Sequence, residues 1–141
     1  MIFRDAREED WPAIEALLVA CALPLDGARE HLADFIVCER GEIVGCAGAE
    51  VYGDAALLRS VAVGNDARGS GIGTRLTTSI LSRLQARGVR TVALLTTTAE
   101  AYFTKQGFVA APRSAIPEAL HVSAELKEAC PATAVAMLLR A

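Results

Sequence analysis

The residues of this chain with the clearest chemical potential lie between Val61 and Leu76, which read VAVGNDARGSGIGTRL. Gly69, Gly71 and Gly73 alternate just before an amphipathic run. A glycine-rich turn that opens a helix presents unpaired N–H groups and the positive end of the helix dipole, so it can hold a phosphate with main-chain atoms alone. An ordinary strand-to-helix turn reads the same way. Two phosphate loops are excluded by missing parts. Gly73 is followed by Thr74-Arg75 where a nucleoside-triphosphate loop needs Lys and then Ser or Thr. A dinucleotide fingerprint needs a third glycine at Thr74 and an acidic residue near Thr96-Thr97-Thr98.

Carboxylates and guanidinia form the second set. Glu50 interrupts an apolar, small-residue run, and Arg59 follows a turn signal at Gly53-Asp54. If that turn holds two residues, Glu50 and Arg59 are diagonal neighbours on one face, which makes an ion pair as natural a reading of Glu50 as general-base catalysis. Arg59 and Arg113 suit clamping of a carboxylate or oxyanion, because guanidinium makes bidentate contacts. Ser60, Ser123 and Thr96 to Thr98 add hydrogen-bonding groups. Glu100 closes the pattern Thr97-Thr98-Ala99-Glu100, which fits a capping box. His31 and His121 lack partner spacing and carry no assigned role. Cys21, Cys38, Cys46 and Cys130 show no ligand spacing, so buried free thiols are expected and no metal site. Cys38 and Cys46 could still meet across a hairpin as a soft-metal or arsenical site.

The positioning elements follow from periodicity. A strand over Met1 to Arg4 leads to Asp10, an N-cap candidate, and a helix with Trp11, Ile14, Leu17, Leu18 and Cys21 on one face. A short polar helix is expected over Ala28 to Phe35. Antiparallel strands follow over Phe35 to Cys38, Ile43 to Tyr52 and Ala56 to Val63. Ile72, Leu76, Ile80 and Leu84 form a helical stripe ending near Gly88, and Thr91 to Thr96 reads as a central strand parallel to the one before the helix. A helix over Ala99 to Gln106 with Gly107 as its cap, strand FVAA, a helix from Ser123 through Ala129 and strand AVAMLLR complete the order. The expectation is one α+β domain over residues 1–141, a central mixed, mostly antiparallel sheet flanked by helices.

With these elements in order, Arg68-Gly69-Ser70-Gly71-Ile72-Gly73 resembles the (Arg/Gln)-x-x-Gly-x-(Gly/Ala) signature of the GNAT superfamily of N-acetyltransferases, and Lys105-Gln106-Gly107-Phe108 resembles its second signature. The resemblance spans nearly the whole chain and implies the acyl-CoA N-acyltransferase fold. It implies acetyl-CoA as cosubstrate: the amides of Arg68, Gly69, Ser70, Gly71, Ile72, Gly73 and Thr74 on the pyrophosphate, the backbone of Val61, Ala62 and Val63 beside the pantetheine arm. Glu50 is then the expected base, since an α-amino group with a pKa of about 7.7 to 8.0 must shed a proton before attack. The family's usual Tyr four places before the terminal Gly is Phe103 here. Tyr102 is adjacent but rotated by about 100° around the helix, so a cleft function and a half-buried aromatic both fit it.

LLRSVAV, LLTTTAEAYF and IPEALHVSAELKEACPATA further resemble the arsenic-resistance-associated branch, and the last segment also resembles the acetyltransferase domain of N-acetylglutamate synthases. Both imply a small amine partner with an amino-acid-like head group; by their own chemistry Arg59, Ser60, Arg113 and Ser123 are its expected substrate contacts. A non-catalytic acyl-CoA binder is the alternative, motivated by Phe103. A net charge of −3 argues against nucleic acid, and no apolar run reaches membrane-spanning length. The charged start MIFRDAREED points to a cytoplasmic protein, and the 52% hydrophobic composition to a homodimer.

Overall fold

The computed structural model describes residues 1–129 and 133–140; Cys130 lies outside them. One sheet holds β1 (Ile2–Asp5), β2 (Phe35–Arg40), β3 (Glu42–Tyr52), β4 (Ala55–Val63), β5 (Thr91–Thr96), β6 (Val109–Ala111) and β7 (Val135–Arg140), in the spatial order β1-β2-β3-β4-β5-β7-β6. The β4–β5 pair is parallel and its neighbours antiparallel. The helices are α1 (Trp11–Ala20), α2 (Ile72–Ala86) and α3 (Glu100–Lys105). This is the mixed sheet flanked by helices that the sequence implies.

Each face of the sheet has its own core. The α2 stripe Ile72, Leu76, Ile80 and Leu84 is buried against Leu58, Leu94, Phe103 and Phe108. On the opposite face Ile14 and Leu18 of α1 pack with Phe35, Val37 and Cys46. The Phe35 ring lies so close to β3 that a Cβ at Gly48 would stand 2.2 Å from it, which explains a glycine in mid-strand.

Strand alternation also settles the thiols. Cys38 pairs with Gly45 and Val37 with Cys46, so the two cysteines are one residue out of register and belong to opposite cores. A shared soft-metal or arsenical site at this pair is thereby ruled out. Burial pushes the Cys46 thiol up to about 12.

Three local expectations change. Asp10 has helical backbone angles and does not cap α1 with its side chain; its carboxylate accepts the Arg7 N–H at 2.7 Å and two Arg4 bonds at 2.8 and 3.0 Å. The Arg4 bonds, aided by the Arg7 N–H, outweigh burial and hold this carboxyl below its usual range. The Thr97 capping box does not form, because Ala99 is the N-cap residue of α3 and its N–H bonds Thr96 Oγ1 at 3.0 Å, leaving Glu100 exposed. The segment before β2 is a 3-10 turn, Arg29–Asp34, kinked at His31.

Candidate functional site

A parallel pair that separates part-way along leaves a wedge-shaped opening lined by two unpaired strand edges. β4 and β5 do this: their ladder runs from Ala55 opposite Thr91 to Leu57 opposite Ala93, whereas β4 continues to Val63 and β5 to Thr96. The bulge at the point of departure assists. Cys46 pairs with Ala62 and Gly48 with Arg59, so Ser60 and Val61 together oppose Ala47. Ser60 carries the extra turn with φ 59°, in the left-handed region that a non-glycine residue rarely occupies. The bulge resets the alternation: Ala56 and Leu58 before it, then Val61 and Val63 after it, face the α2 core.

A cavity of about 650 Å³ fills the wedge. Its walls include Arg59 to Val63 from β4, Leu94 to Thr96 from β5, Tyr102 and Phe103 from α3, and Glu125. Arg68 and Gly73 line it at the α2 end. No side chain caps α2; its N-cap is Gly71 with φ 80°, and Gly69 has φ 83°. A Cβ at either glycine would meet nothing within 4 Å, so the requirement is the backbone conformation, and the surface above these amides is open. Arg68 Nε donates to Val63 O at 3.1 Å, which pins the loop to the end of β4, and Ser70 Oγ donates to Ala67 O at 2.5 Å within the loop. Gly69, Ser70, Gly71 and Thr74 are exposed, while Ile72 turns into the core.

At the other end stands a buried polar cluster. The two-residue turn at Gly53-Asp54 places Glu50 opposite Leu57, and so diagonal to Arg59. Arg59 Nη1 donates to Glu50 Oε2 at 2.6 Å, Nε to Ser60 Oγ at 3.1 Å and Nη2 to Pro24 O at 3.2 Å. Tyr52 Oη donates to Glu50 Oε1 at 2.5 Å, with His31 Nε2 3.4 Å from the same oxygen. Burial alone would push the Glu50 carboxyl up, but hydrogen bonds from Tyr52, Arg59 and Ser123, with the Arg59 charge, outweigh it and hold Glu50 below the usual glutamate value. Burial and the Glu50 carboxylate push the Tyr52 phenol up.

The sequence-selected residues therefore separate. Arg59, Ser60, Val61, Ala62, Val63, Arg68, Gly73 and Tyr102 share the cavity. Glu50 lies behind Arg59, fully buried and off the cavity wall. Ser123 is 1% exposed and serves this hidden layer, its Oγ also accepting the Leu126 N–H at 3.5 Å. Arg113 is half-buried outside the cavity, with Nη2 donating to Ala134 O at 3.3 Å. Tyr102 reaches the cavity despite its offset from Phe103, and its hydroxyl stands 3.1 Å from Thr77 Oγ1 beside the first turns of α2. Phe103 fills both the cavity wall and the α2 core.

No sequence pattern singles out Glu125. It sits in a five-residue π-helical turn, Glu125–Ala129, where no periodicity marks it. His31 and Tyr52 were also missed, although Tyr52 shares a strand face with Glu50 two residues away.

Comparison with known proteins decides the family. Residues 31–110 match the model of the acetyltransferase (GNAT) domain. The chain belongs to this family. Relatives of the GNAT chain include an amino-acid acetyltransferase of Ralstonia nicotianae, 36% identical over 93 residues, which cover 64% of this chain and 21% of that protein. The chain thus spans about a fifth of that relative. Among solved structures, N-acetylglutamate synthase of Neisseria gonorrhoeae, complexed with coenzyme A and N-acetyl-glutamate, superposes with TM-score 0.85 at 23% identity, covering 99% of this chain and 34% of that one. Rv2747 of Mycobacterium tuberculosis, also in complex with CoA, gives TM-score 0.84 at 24% identity, covering 100% and 99%. These structures establish the GNAT fold.

Proposed function

We propose that this GNAT domain transfers the acetyl group of acetyl-CoA to the amine of a small, amino-acid-like acceptor. The observation that carries the reading is the departure of β4 from β5 toward the uncapped, glycine-opened start of α2. The exposed amides around Gly69, Gly71 and Thr74 fit the pyrophosphate, and Arg68 adds a cation at the same end of the cavity. The free edge of β4 at Val61 to Val63 fits the amide-bearing pantetheine arm, which can add to it as a strand does. Bound there, acetyl-CoA supplies an acyl carbon activated toward an amine.

The chain's own residues then hold the acceptor. Ser60 and Thr96 offer hydroxyls at the head of the cavity, and Arg59 is fixed there by Glu50, which acts as a positioning residue. Tyr102 is the hydroxyl available to protonate the departing thiolate. An amino-acid-like acceptor fits this small polar head, in agreement with the names of the Ralstonia relative and the Neisseria neighbour. The resemblance of the segment around Ser123 to the arsenic-resistance branch adds arsenic-bearing amino-acid analogues to the acceptors proposed.

Thiol release measured with acetyl-CoA and a panel of amino acids, glutamate and arsenical analogues tests this. Amine-dependent release with one equivalent of N-acetyl product is expected. Binding of acetyl-CoA without release under any amine makes the chain an acyl-CoA binder instead.

A further inference from the structure

Among the described residues lining the cavity, Glu125 is the one carboxylate. It is 5% exposed and comes from the π-helical turn after Ser123, across the cavity head from β4. Among the described residues its ionic neighbour is Arg59, whose Nε is 3.8 Å away, beyond hydrogen-bond length. Arg59 is already committed to Glu50 at 2.6 Å, to Ser60 and to Pro24. Glu50 answers the Arg59 charge at hydrogen-bond length, and among the described residues Glu125 faces the cavity with Arg59 Nε, 3.8 Å away, as its recorded cationic neighbour.

We propose that Glu125 receives the acceptor's ammonium group and takes its proton. This inference rests on the acetyl-transfer reading of the cavity. In the proposed step the acceptor RNH3⁺ passes one proton to a Glu125 oxygen and becomes RNH2. The nitrogen lone pair forms the N–C bond to the acetyl carbon, the C–S bond of the CoA thioester breaks with its electron pair on sulfur, sulfur takes the Tyr102 hydroxyl proton, and the second nitrogen proton restores that hydroxyl. Glu125 afterwards releases its proton to solvent, which restores the carboxylate.

The electrostatic surroundings suit a group that both gains and loses a proton at neutral pH. Burial pushes the Glu125 carboxyl up to about 7; the Arg59 charge opposes this, while Glu50 on β3 and Asp26 in the loop after α1 add to it. Glu50, held low by its hydrogen bonds and placed off the wall, has neither the access nor the basicity for the same task.

The test compares wild type, Glu125→Gln and Glu125→Asp. In the free protein, carbon-detected NMR of labelled glutamate side chains should show a carboxyl titrating near pH 7 that is missing from the Gln variant. In turnover with an α-amino acceptor, wild-type kcat/KM should rise through a pKa near 7 and fall above the acceptor's own amine pKa. Glu125→Gln should lose about 10²- to 10⁴-fold at pH 7. That deficit should shrink as pH rises and the free amine becomes abundant, and Glu125→Asp should keep the rising limb. CoA affinity, read by calorimetry, should be equal in the three proteins, and the Asp variant carries the comparison if the Gln variant fails to fold. Wild-type rate and pH profile in the Gln variant overturn the proposal, as does the absence of any carboxyl titrating near pH 7. If no amine is acetylated by wild type, the acetyl-transfer reading fails, and the Glu125 step fails with it even where the NMR titration stands.

Discussion

Arg59 Nη1 stands 2.6 Å from Glu50 Oε2, and both side chains are sealed from solvent, Glu50 on β3 and Arg59 on the segment of β4 that departs from β5. Two charges removed from water need each other's field and further hydrogen bonds to offset desolvation, and the bonds from Tyr52 to Glu50 and from Arg59 to Ser60 and Pro24 provide them. The pair thus fixes the bulged end of β4, and with it the head of the cavity. Gly27 closes over it: a Cβ there would stand 3.3 Å from Arg59 Nη1.

Removing one partner strands the other. Glu50→Ala should lower stability by about 3–5 kcal/mol, the range for an orphaned buried charge. Chemical denaturation checks this. In the milder Glu50→Gln protein, KM for the acceptor should rise while CoA affinity stays fixed. A Glu50→Gln enzyme with unchanged acceptor kinetics would remove Glu50 from the positioning of Arg59.

The two buried glutamates should mark the pH dependence of stability with opposite signs. Glu50 sits below the usual glutamate value, so its contribution is present at neutral pH and is lost as pH falls through its folded-state pKa. Glu125 is raised from 4.5 to about 7, so the folded chain binds more protons than the unfolded one between those values, and stability falls as pH rises across them. The fall amounts to up to roughly 3 kcal/mol at 1.36 kcal/mol per pKa unit. Melting curves between pH 4.5 and 7.5 should show it in wild type and lose it in Glu125→Gln.

Gly71 holds φ 80° at the entrance to α2. An alanine in the left-handed region costs about 1–2 kcal/mol, so Gly71→Ala should either carry that strain or rotate the amides away from the anion. At least tenfold weaker CoA binding by calorimetry is expected, with a modest drop in melting temperature. Undiminished affinity would separate the loop from the pyrophosphate.

Tyr102→Phe removes the hydroxyl beside Thr77 and leaves the ring against Phe103. Turnover should fall about 10²-fold with little change in CoA affinity if that hydroxyl protonates the thiolate. Stopped-flow thiol detection reads the rate directly, and an unchanged rate would assign the proton to solvent.

Much of this arrangement was legible in the sequence. The i, i+4 stripe from Ile72 to Leu84 needs a single buried face, and the Gly53-Asp54 turn fixes a register from which the Glu50–Arg59 diagonal follows by counting. The Ser60 bulge was not legible, because an extra residue in a strand leaves no mark on composition, yet it decides which β4 side chains face α2. Asp10 and Thr97 look like helix caps by residue type; a better offer from Arg4 takes the first, and Thr96, one place earlier, takes the second's work. Glu125 meets Arg59 from 66 residues away in sequence, a contact that local pattern does not encode.

Amine-dependent release of the CoA thiol decides whether this domain transfers acetyl groups. Purified protein, acetyl-CoA and a small α-amino acceptor together should liberate free thiol and N-acetyl product in equal amounts, with neither formed when protein or amine is omitted. Saturable binding of acetyl-CoA with no thiol released under any α-amine, or no binding of acetyl-CoA at all, would contradict it.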